Sequence, residues 1–333
     1  MMKGNVRVSI VIPMRNEARH VGRCLDSIMR QDYPADWLEV KVVDGRSEDG
    51  SAAIVRSYAG RMPDVELLDN PARVTPAALN IGIRRSGGDM VIILGSHSFI
   101  EPDFVSRNVA ALAASGADCA GGRIETVSES SMGKVISQAM SSTFGVGNSR
   151  FRTSMRPGFV DTVAFGAYRR EVFDRIGLFD EDLIRNQDDE FNYRLIRNGG
   201  RIYLDPSIRS SYYSRLTLRG LWRQYFQYGW WKTVILRKHG RLPAARNLAP
   251  AAALAVFILS LTLALAEPSL VWVAAGILTA YLIMSLAVTL RLAGRRGPSM
   301  LLLPFAFATL HLSYAAGFLC GLPNLVVNKG KRA

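Results

Sequence analysis

Val6-Arg7-Val8-Ser9-Ile10-Val11-Ile12-Pro13-Met14-Arg15-Asn16-Glu17 opens the chain on an apolar run closed by a proline and a charged loop. A short valine- and isoleucine-rich run of this kind is consistent with a strand buried on both faces of a parallel sheet. Working outward, Val21, Leu25 and Ile28 recur at spacings of four and three with charges between them, which predicts a helix. A second strand is expected over residues 38–43, closed by Asp44-Gly45, and a helix over 52–58. A third strand follows over 65–68. Thr75-Pro76 then reads as a helix N-cap and first-turn proline opening a helix through 78–83. Residues 90–94 make the fourth strand. Strand and helix alternating in this way specify an α/β fold, a parallel sheet with helices on both faces. Ligands of such sheets bind at the carboxyl ends of the strands, so the loops after each strand are the candidate site.

Three of those loops carry chemistry. They are Pro13-Met14-Arg15-Asn16-Glu17, Asp44-Gly45-Arg46-Ser47-Glu48-Asp49-Gly50 and Gly95-Ser96-His97-Ser98. Glu17 and Asp44 can accept hydrogen bonds from a uracil edge or ribose hydroxyls, and Arg15 and Arg46 can neutralise a diphosphate. Gly45 and Gly50 permit turns and close backbone approach. Any one of the loops alone is equally an ordinary polar turn; three in succession, each at a strand carboxyl end, point to a ligand. A dinucleotide fold is disfavoured because no Gly-x-Gly-x-x-Gly follows the first strand.

The segments from Val8 to Glu17 and from Asp44 to Gly50 resemble the opening motifs of the family 2 glycosyltransferases, which have the GT-A fold. Within that family the chain is similar to the bacterial succinoglycan-type exopolysaccharide glucosyltransferases, over about residues 6–240. The resemblance implies a nucleoside pocket lined by Pro13, Glu17 and Asp44, with Arg73 and Asn80 nearby; Arg15 and Ser96 complete the donor-binding set. The family carries Asp-x-Asp, or Asp-x-His in this branch, after the fourth strand, where it holds Mg²⁺ or Mn²⁺ against the donor diphosphate. Here the matching residues are Gly95-Ser96-His97, so the first acid is missing. His97 is either a remaining metal ligand, better suited to Mn²⁺ than to Mg²⁺, or a polar loop residue. Glu101 and Asp103 read as acids opening the next helix.

Asn186-Gln187-Asp188-Asp189-Glu190 opens a further helix. Three acids there satisfy the helix dipole, but one of them can also be a general base. An inverting transfer needs a carboxylate to take the acceptor hydroxyl's proton as the nucleoside diphosphate leaves from the opposite face. The segment resembles the family's Glu-Asp-x-x-Leu element with Gln187 in place of Glu, which puts Asp188 at the catalytic base, with Asp189 and Glu190 as the other carboxylates. By the same resemblance Gly166, Gln187 and Asp189 border the acceptor; Gly166 is equally explained by packing. Gln227-Tyr228-Gly229-Trp230-Trp231 resembles the Gln-x-x-Arg-Trp element of processive members, which adds Gln227 and Trp231 to the acceptor site. Trp230 replaces the arginine, which favours single-sugar addition.

Composition changes sharply along the chain. The net charge of +13 calls for an anionic partner. Without zinc-finger spacing or a basic stripe, nucleic acid is not expected. Cys24, Cys119 and Cys320 are widely spaced and odd in number, as buried thiols of a reducing compartment. With no signal peptide before the first strand, the N-terminal domain is expected in the cytoplasm. The expected organisation is a catalytic domain over 1–215, an amphipathic interfacial helix over 216–245, rich in aromatics and cations, and a membrane region over 246–333. Runs 248–266 and 269–290 are each near the ~20 residues that span a bilayer and form a hairpin around Glu267-Pro268. Arg291, Arg295 and Arg296 favour the cytoplasmic side. Run 299–322, interrupted by Pro304 and His311, either spans or re-enters, and that choice sets the side of Lys329, Lys331 and Arg332. These readings lead to a glycosyltransferase at the cytoplasmic face of the inner membrane. Its donor is a nucleotide sugar, UDP-glucose by resemblance; its acceptor is a lipid-linked or polysaccharide glycan, and its cofactor a divalent Mn or Mg ion. The competing reading is a non-catalytic protein of the same fold that binds nucleotide or glycan and regulates a synthase.

Overall fold

The computed structural model describes residues 6–59, 65–147, 149–240 and 245–325. In chain order the elements are β1 (Val8–Met14), α1 (Val21–Met29), β2 (Leu38–Asp44), α2 (Ser51–Ala59), β3 (Val65–Asp69), α3 (Thr75–Arg85), β4 (Met90–Ile93), β5 (Ser98–Ile100) and α4 (Phe104–Ser115). There follow β6 (Cys119–Val127), α5 (Ser131–Met140), α6 (Thr143–Val146), α7 (Arg150–Thr153), β7 (Gly158–Val160), β8 (Ala164–Arg169), α8 (Arg170–Ile176), α9 (Gln187–Arg197) and β9 (Ile202–Tyr213). The chain ends in α10 (Leu218–His239), α11 (Ala249–Leu263), α12 (Val271–Arg296) and α13 (Leu303–Gly321). Two compact units result: Met1–Glu125 with Ser149–Tyr213, and Thr126–Asn148 with Ser214–Ala333.

In the first unit the expected alternation is present. β3, β2, β1 and β4 lie side by side and parallel. Beyond β4 the sheet turns mixed: β8 pairs antiparallel with β4 and with β6, and β9 pairs antiparallel with β5 and β7. The all-parallel sheet expected from the first four strands is therefore only half of the sheet. β1 is central and buried on both sides. Ile10 and Ile12 pack with Leu25 and Ile28 of α1 and Phe104 of α4. Val11 joins Leu79 and Ile83 of α3 and Phe191 of α9. Each such side chain contributes about 1.5–3 kcal/mol by leaving water. Gly82 lets α3 lie on the sheet, since a Cβ there would stand 2.4 Å from Val11 Cγ1.

Pro13 fits a central strand for a geometric reason. Val11 O accepts from Leu94 N, so Val11 faces β4, and Pro13, two residues on, faces the same way. The β1–β4 pairing ends at Val11–Ile93, so no ladder bond is lost for want of the proline N–H. The α3 start differs from expectation by one residue: the N-cap is Val74, in extended conformation, and Thr75 is already helical.

In the second unit α10 and α13 touch backbone to backbone. A Cβ on Gly317 would lie 2.0 Å from Phe226 O, and one on Gly229 2.1 Å from Tyr314 O. Asn324 Nδ2 donates to Thr233 Oγ1 at 3.1 Å. His311 is held between Tyr281 Oη (3.1 Å) and Phe144 O (2.9 Å). Among the described residues two segments are long and apolar enough to cross a membrane, Pro268–Ala293 and Pro298–Leu325; α11, with 15 residues, is shorter than its apolar run suggested. Lys329, Lys331 and Arg332 lie outside the described residues. Cys24 and Cys119 are buried as expected, but Cys320 is exposed, because α13 turns the Gly317 and Gly321 face, not Cys320, toward α10.

Candidate active site

The loops after β1 and β2 are stitched together. Asn16 N donates to Ser47 Oγ (2.8 Å), Glu48 N donates back to Asn16 Oδ1 (2.9 Å), Glu17 N donates to Ser51 Oγ (2.8 Å) and Ala18 N to Asp49 Oδ2 (3.0 Å). Asp44, at the end of β2, accepts from Ser47 N and Ser47 Oγ (2.6 Å), which shapes its own loop and leaves further acceptor capacity. Arg15 is exposed and its stem packs over Gly45. Arg46 pairs with Asp69 across β2 and β3 at 3.2 Å, a pair half open to solvent. Arg73 is exposed at the end of β3, and Pro13 is partly buried.

Among the described residues five non-glycine positions have positive φ: Asn16, Arg46, Arg73, Phe165 and Asn186. Three of them follow β1, β2 and β3; Phe165 flanks Gly95, and Asn186 caps α9. Such conformations cost about 1–3 kcal/mol each and persist where the surroundings impose them, typically at ligand sites.

At the end of β4, a Cβ on Gly95 would meet Ser98 Oγ at 3.0 Å and the Phe165 ring at 3.4 Å, so a side chain here would have to push Ser98 aside by a few tenths of an ångström. Ser96 is buried. His97 Nδ1 lies 3.2 Å from Glu17 Oε1. Although close, the two are misaligned, and Nδ1 is buried without a hydrogen bond. The His97 ring meets Tyr212 edge-on at 6.2 Å. Cys24 Sγ faces Gly95 O; burial, then the Glu17 charge, push this thiol up to about 12.

The acid helix starts as expected. Asp188 is exposed, while Gln187 and Asp189 are partly exposed. Glu190 is fully buried and paired with Arg194 at 2.8 Å, which makes it a core residue. Asn80 is buried, with Oδ1 accepting from Phe179 N and Nδ2 donating to Phe179 O and Glu181 Oε1. Gly166 points its missing Cβ at Cys119 Sγ and Tyr168, both 2.9 Å away in the core. Gln227 and Trp231, four residues apart on α10, belong to the second unit.

With this geometry in place, the chain can be set beside known proteins. The profile described as Glycosyl transferase family 2 matches residues 9–177. The succinoglycan biosynthesis protein ExoA of Rhizobium meliloti (strain 1021) is 32% identical over 316 residues, 93% of either chain. The chain belongs to glycosyl transferase family 2. This glycosyltransferase is also 32% identical, over 69% of its own length and 74% of the other, to a Methanococcus voltae enzyme. That enzyme is the dolichyl N-acetyl-alpha-D-glucosaminyl phosphate 3-beta-D-2,3-diacetamido-2,3-dideoxy-beta-D-glucuronosyltransferase. The glycosyltransferase shares its GT-A fold with the mannosyltransferase PcManGT of Pyrobaculum calidifontis, solved with GDP-Man and Mn²⁺ (TM-score 0.60, 22% identity, 97% of this chain and 88% of that one).

The family's metal can be tested against the residues present. Among the described residues no three of His, Cys, Asp and Glu come together. The protein does hold an orphaned buried imidazole nitrogen on the family's metal loop, with a carboxylate beside it. That donor set fits a divalent ion that takes its remaining ligands from a diphosphate and water. Sequence reading of the glycosyltransferase missed Phe165 and Tyr212, which wall this spot. Both come from antiparallel strands, β8 beside β4 and β9 beside β5, whose places depend on long-range pairing.

Proposed function

We propose that the chain is an inverting transferase that moves a sugar from a nucleoside diphosphate donor, UDP-glucose, to a lipid-linked glycan at the cytoplasmic face of the inner membrane. The product is exopolysaccharide or another cell-envelope glycan. The observation that carries the reading is the stitched pair of loops after β1 and β2, which holds Asp44, Arg15 and Pro13 at the carboxyl edge of the sheet around strained backbone. The Rhizobium relative's part in succinoglycan biosynthesis supports exopolysaccharide synthesis, and the dolichyl phosphate in the Methanococcus enzyme's name supports a lipid-linked acceptor.

Pro13 and Asp44 grip the nucleoside, Arg15, Arg73 and Ser96 the phosphate side, and Asn80 positions the neighbouring segment through Phe179 and Glu181. Asp188, exposed on the first turn of α9, takes the proton of the acceptor hydroxyl as its oxygen bonds to the anomeric carbon. Gln187, Asp189 and Gly166 line the acceptor side in the first unit; Gln227 and Trp231, on α10 of the second unit, are acceptor contacts. His97 would hold the divalent ion, which when bound would supply positive charge to the leaving diphosphate. The membrane reading rests on α12, 26 residues long, which exposes Trp272, Leu282, Ile283, Met284 and Leu286.

The test is nucleoside diphosphate release from a panel of nucleotide sugars by detergent-purified protein with bacterial lipid extract. Release that requires UDP-glucose, lipid and Asp188 is expected. Release from another sugar nucleotide alone, or without lipid, overturns the donor or the acceptor assignment respectively.

A further inference from the structure

We propose that Glu17 supplies the carboxylate that Gly95 lacks, so that Glu17 and His97 together form the protein's half of the divalent-ion site. The inference rests on the donor-site reading above and changes one residue's part in it: Glu17 becomes an ion ligand instead of a nucleoside contact.

Three observations carry it. The first is direction. β1 has β2 on one side and β4 on the other. The Glu17 backbone is tied to the β2 side through Ser51, but its carboxylate reaches across to the β4 loop and His97. Asp44, the nucleoside acid, sits on the β2 side.

The second is spacing. Glu17 Oε1 and His97 Nδ1 are 3.2 Å apart, yet the oxygen lies off the axis along which a ring N–H would donate, and Nδ1 has no other hydrogen-bond partner. A buried imidazole nitrogen without a partner is uncommon and calls for an explanation. Two ligands at right angles on an ion with bonds of about 2.1 Å stand about 3 Å apart, each off the other's axis. The pair has the separation and the misalignment of two such ligands.

The third is exclusion. An acid at position 95 would press on Ser98 Oγ and the Phe165 ring, both closely packed there. Cys24, a ligand-type side chain against this loop, is turned toward the backbone, its Sγ facing Gly95 O. Glu17 is thus the carboxylate that the described structure brings against His97. The family motif and this chain then reach the same donor set, one acid and one histidine, from different strands.

The experiment uses the full chain in detergent. Mn²⁺ binding is followed by electron paramagnetic resonance with UDP present, and UDP affinity is measured by calorimetry in Mn²⁺ and in EDTA. The wild type is compared with Glu17→Gln and His97→Ala, and thermal melting checks that each variant is folded. The expected result is that both variants weaken Mn²⁺ by about 10-fold or more, as loss of an ion-holding group does, while Glu17→Gln leaves UDP affinity in EDTA unchanged. Mn²⁺ affinity unaltered by Glu17→Gln overturns the inference. So does an equal loss of UDP affinity in EDTA and in Mn²⁺, which makes Glu17 a nucleoside contact, or a wild type that binds UDP but no Mn²⁺. Failure of every form to bind UDP in either condition overturns the donor-site reading itself.

Discussion

Asn16 and Ser47 clamp two loops to each other: the Asn16 N–H donates to Ser47 Oγ at 2.8 Å, while Asn16 Oδ1 accepts from the next residue, Glu48 N, at 2.9 Å. Asn16 does this at φ 54°, a region asparagine tolerates better than most side chains. Asn16→Ala removes both the acceptor and the tolerance. It is expected to cost about 1–2 kcal/mol in thermal unfolding and to weaken UDP several-fold in calorimetry. Asn16→Gly, which keeps the backbone but not the acceptor, is expected to fall between wild type and alanine. An alanine variant with unchanged UDP affinity means the clamp does not shape the donor site.

Asp188 and Glu190 share the first turn of α9 but not an environment. Asp188 is exposed, while Glu190 is buried against Arg194. The two conservative amides therefore separate chemistry from folding. Asp188→Asn is expected to lower kcat by about 10²–10⁴, the range of a lost general base, with UDP affinity and melting temperature kept. Glu190→Gln leaves Arg194 without its charge partner and is expected to lower the melting temperature first. If Asp189→Asn, and not Asp188→Asn, abolishes turnover, the base is one residue further along.

The half of the sheet that could be read in the sequence is the half whose strands are apolar runs. β1, β2 and β4 are buried on both faces, so valine and isoleucine mark them. β6 begins Cys119-Ala120-Gly121-Gly122, and β9 ends Ser210-Ser211-Tyr212-Tyr213; neither alternates or runs apolar, so only pairing defines them. The same limit applies to the site. Glu17, His97 and Asp44 could be picked out one by one, as residues after strands. Their mutual distances could not, because they depend on β4 lying beside β1 instead of β3. Asn80 carries no mark in the sequence of its tie to Phe179 and Glu181, about a hundred residues away.

Beside Ser9, Glu39 and Lys41 form a buried ion pair at 3.1 Å, and Lys41 also reaches Glu66. Burial pushes the Glu39 carboxyl up, but hydrogen bonds from Ser9, Gly87 and Lys41 outweigh it and hold it below its ordinary value. A carboxyl lower in the folded than in the unfolded chain adds stability above the unfolded pKa, and that stability drains as pH falls through the folded value. The wild type is therefore expected to lose melting temperature on acidification below about pH 4.5, the ordinary range of a glutamate. Lys41→Met leaves Glu39 to Ser9, Gly87 and the more distant Arg7 and is expected to lower stability at neutral pH, by up to the ~3–5 kcal/mol of a broken buried pair. Its melting temperature is expected to fall less steeply with acid than that of the wild type. A variant with wild-type stability at pH 7 contradicts the burial of the pair.

Gly317 of α13 has no room for a side chain: its Cβ would stand 2.0 Å from Phe226 O and 2.9 Å from Phe226 Cα, atoms of the α10 backbone that cannot swing aside. Gly276 of α12 is the natural control, with nothing within 4 Å of the same position. Gly317→Leu is expected to part α10 from α13 and lose at least the ~1–3 kcal/mol typical of overpacking. Gly276→Ala is expected to be neutral or stabilising by up to about 1 kcal/mol, the gain in helix propensity. Melting of the detergent-solubilised protein reads both. If the α10–α13 contact is also what sets the orientation of Gln227 and Trp231 toward an acceptor, Gly317→Leu raises KM for the lipid acceptor while UDP affinity holds. Equal loss at both substrates would mean that the helix pair supports folding alone.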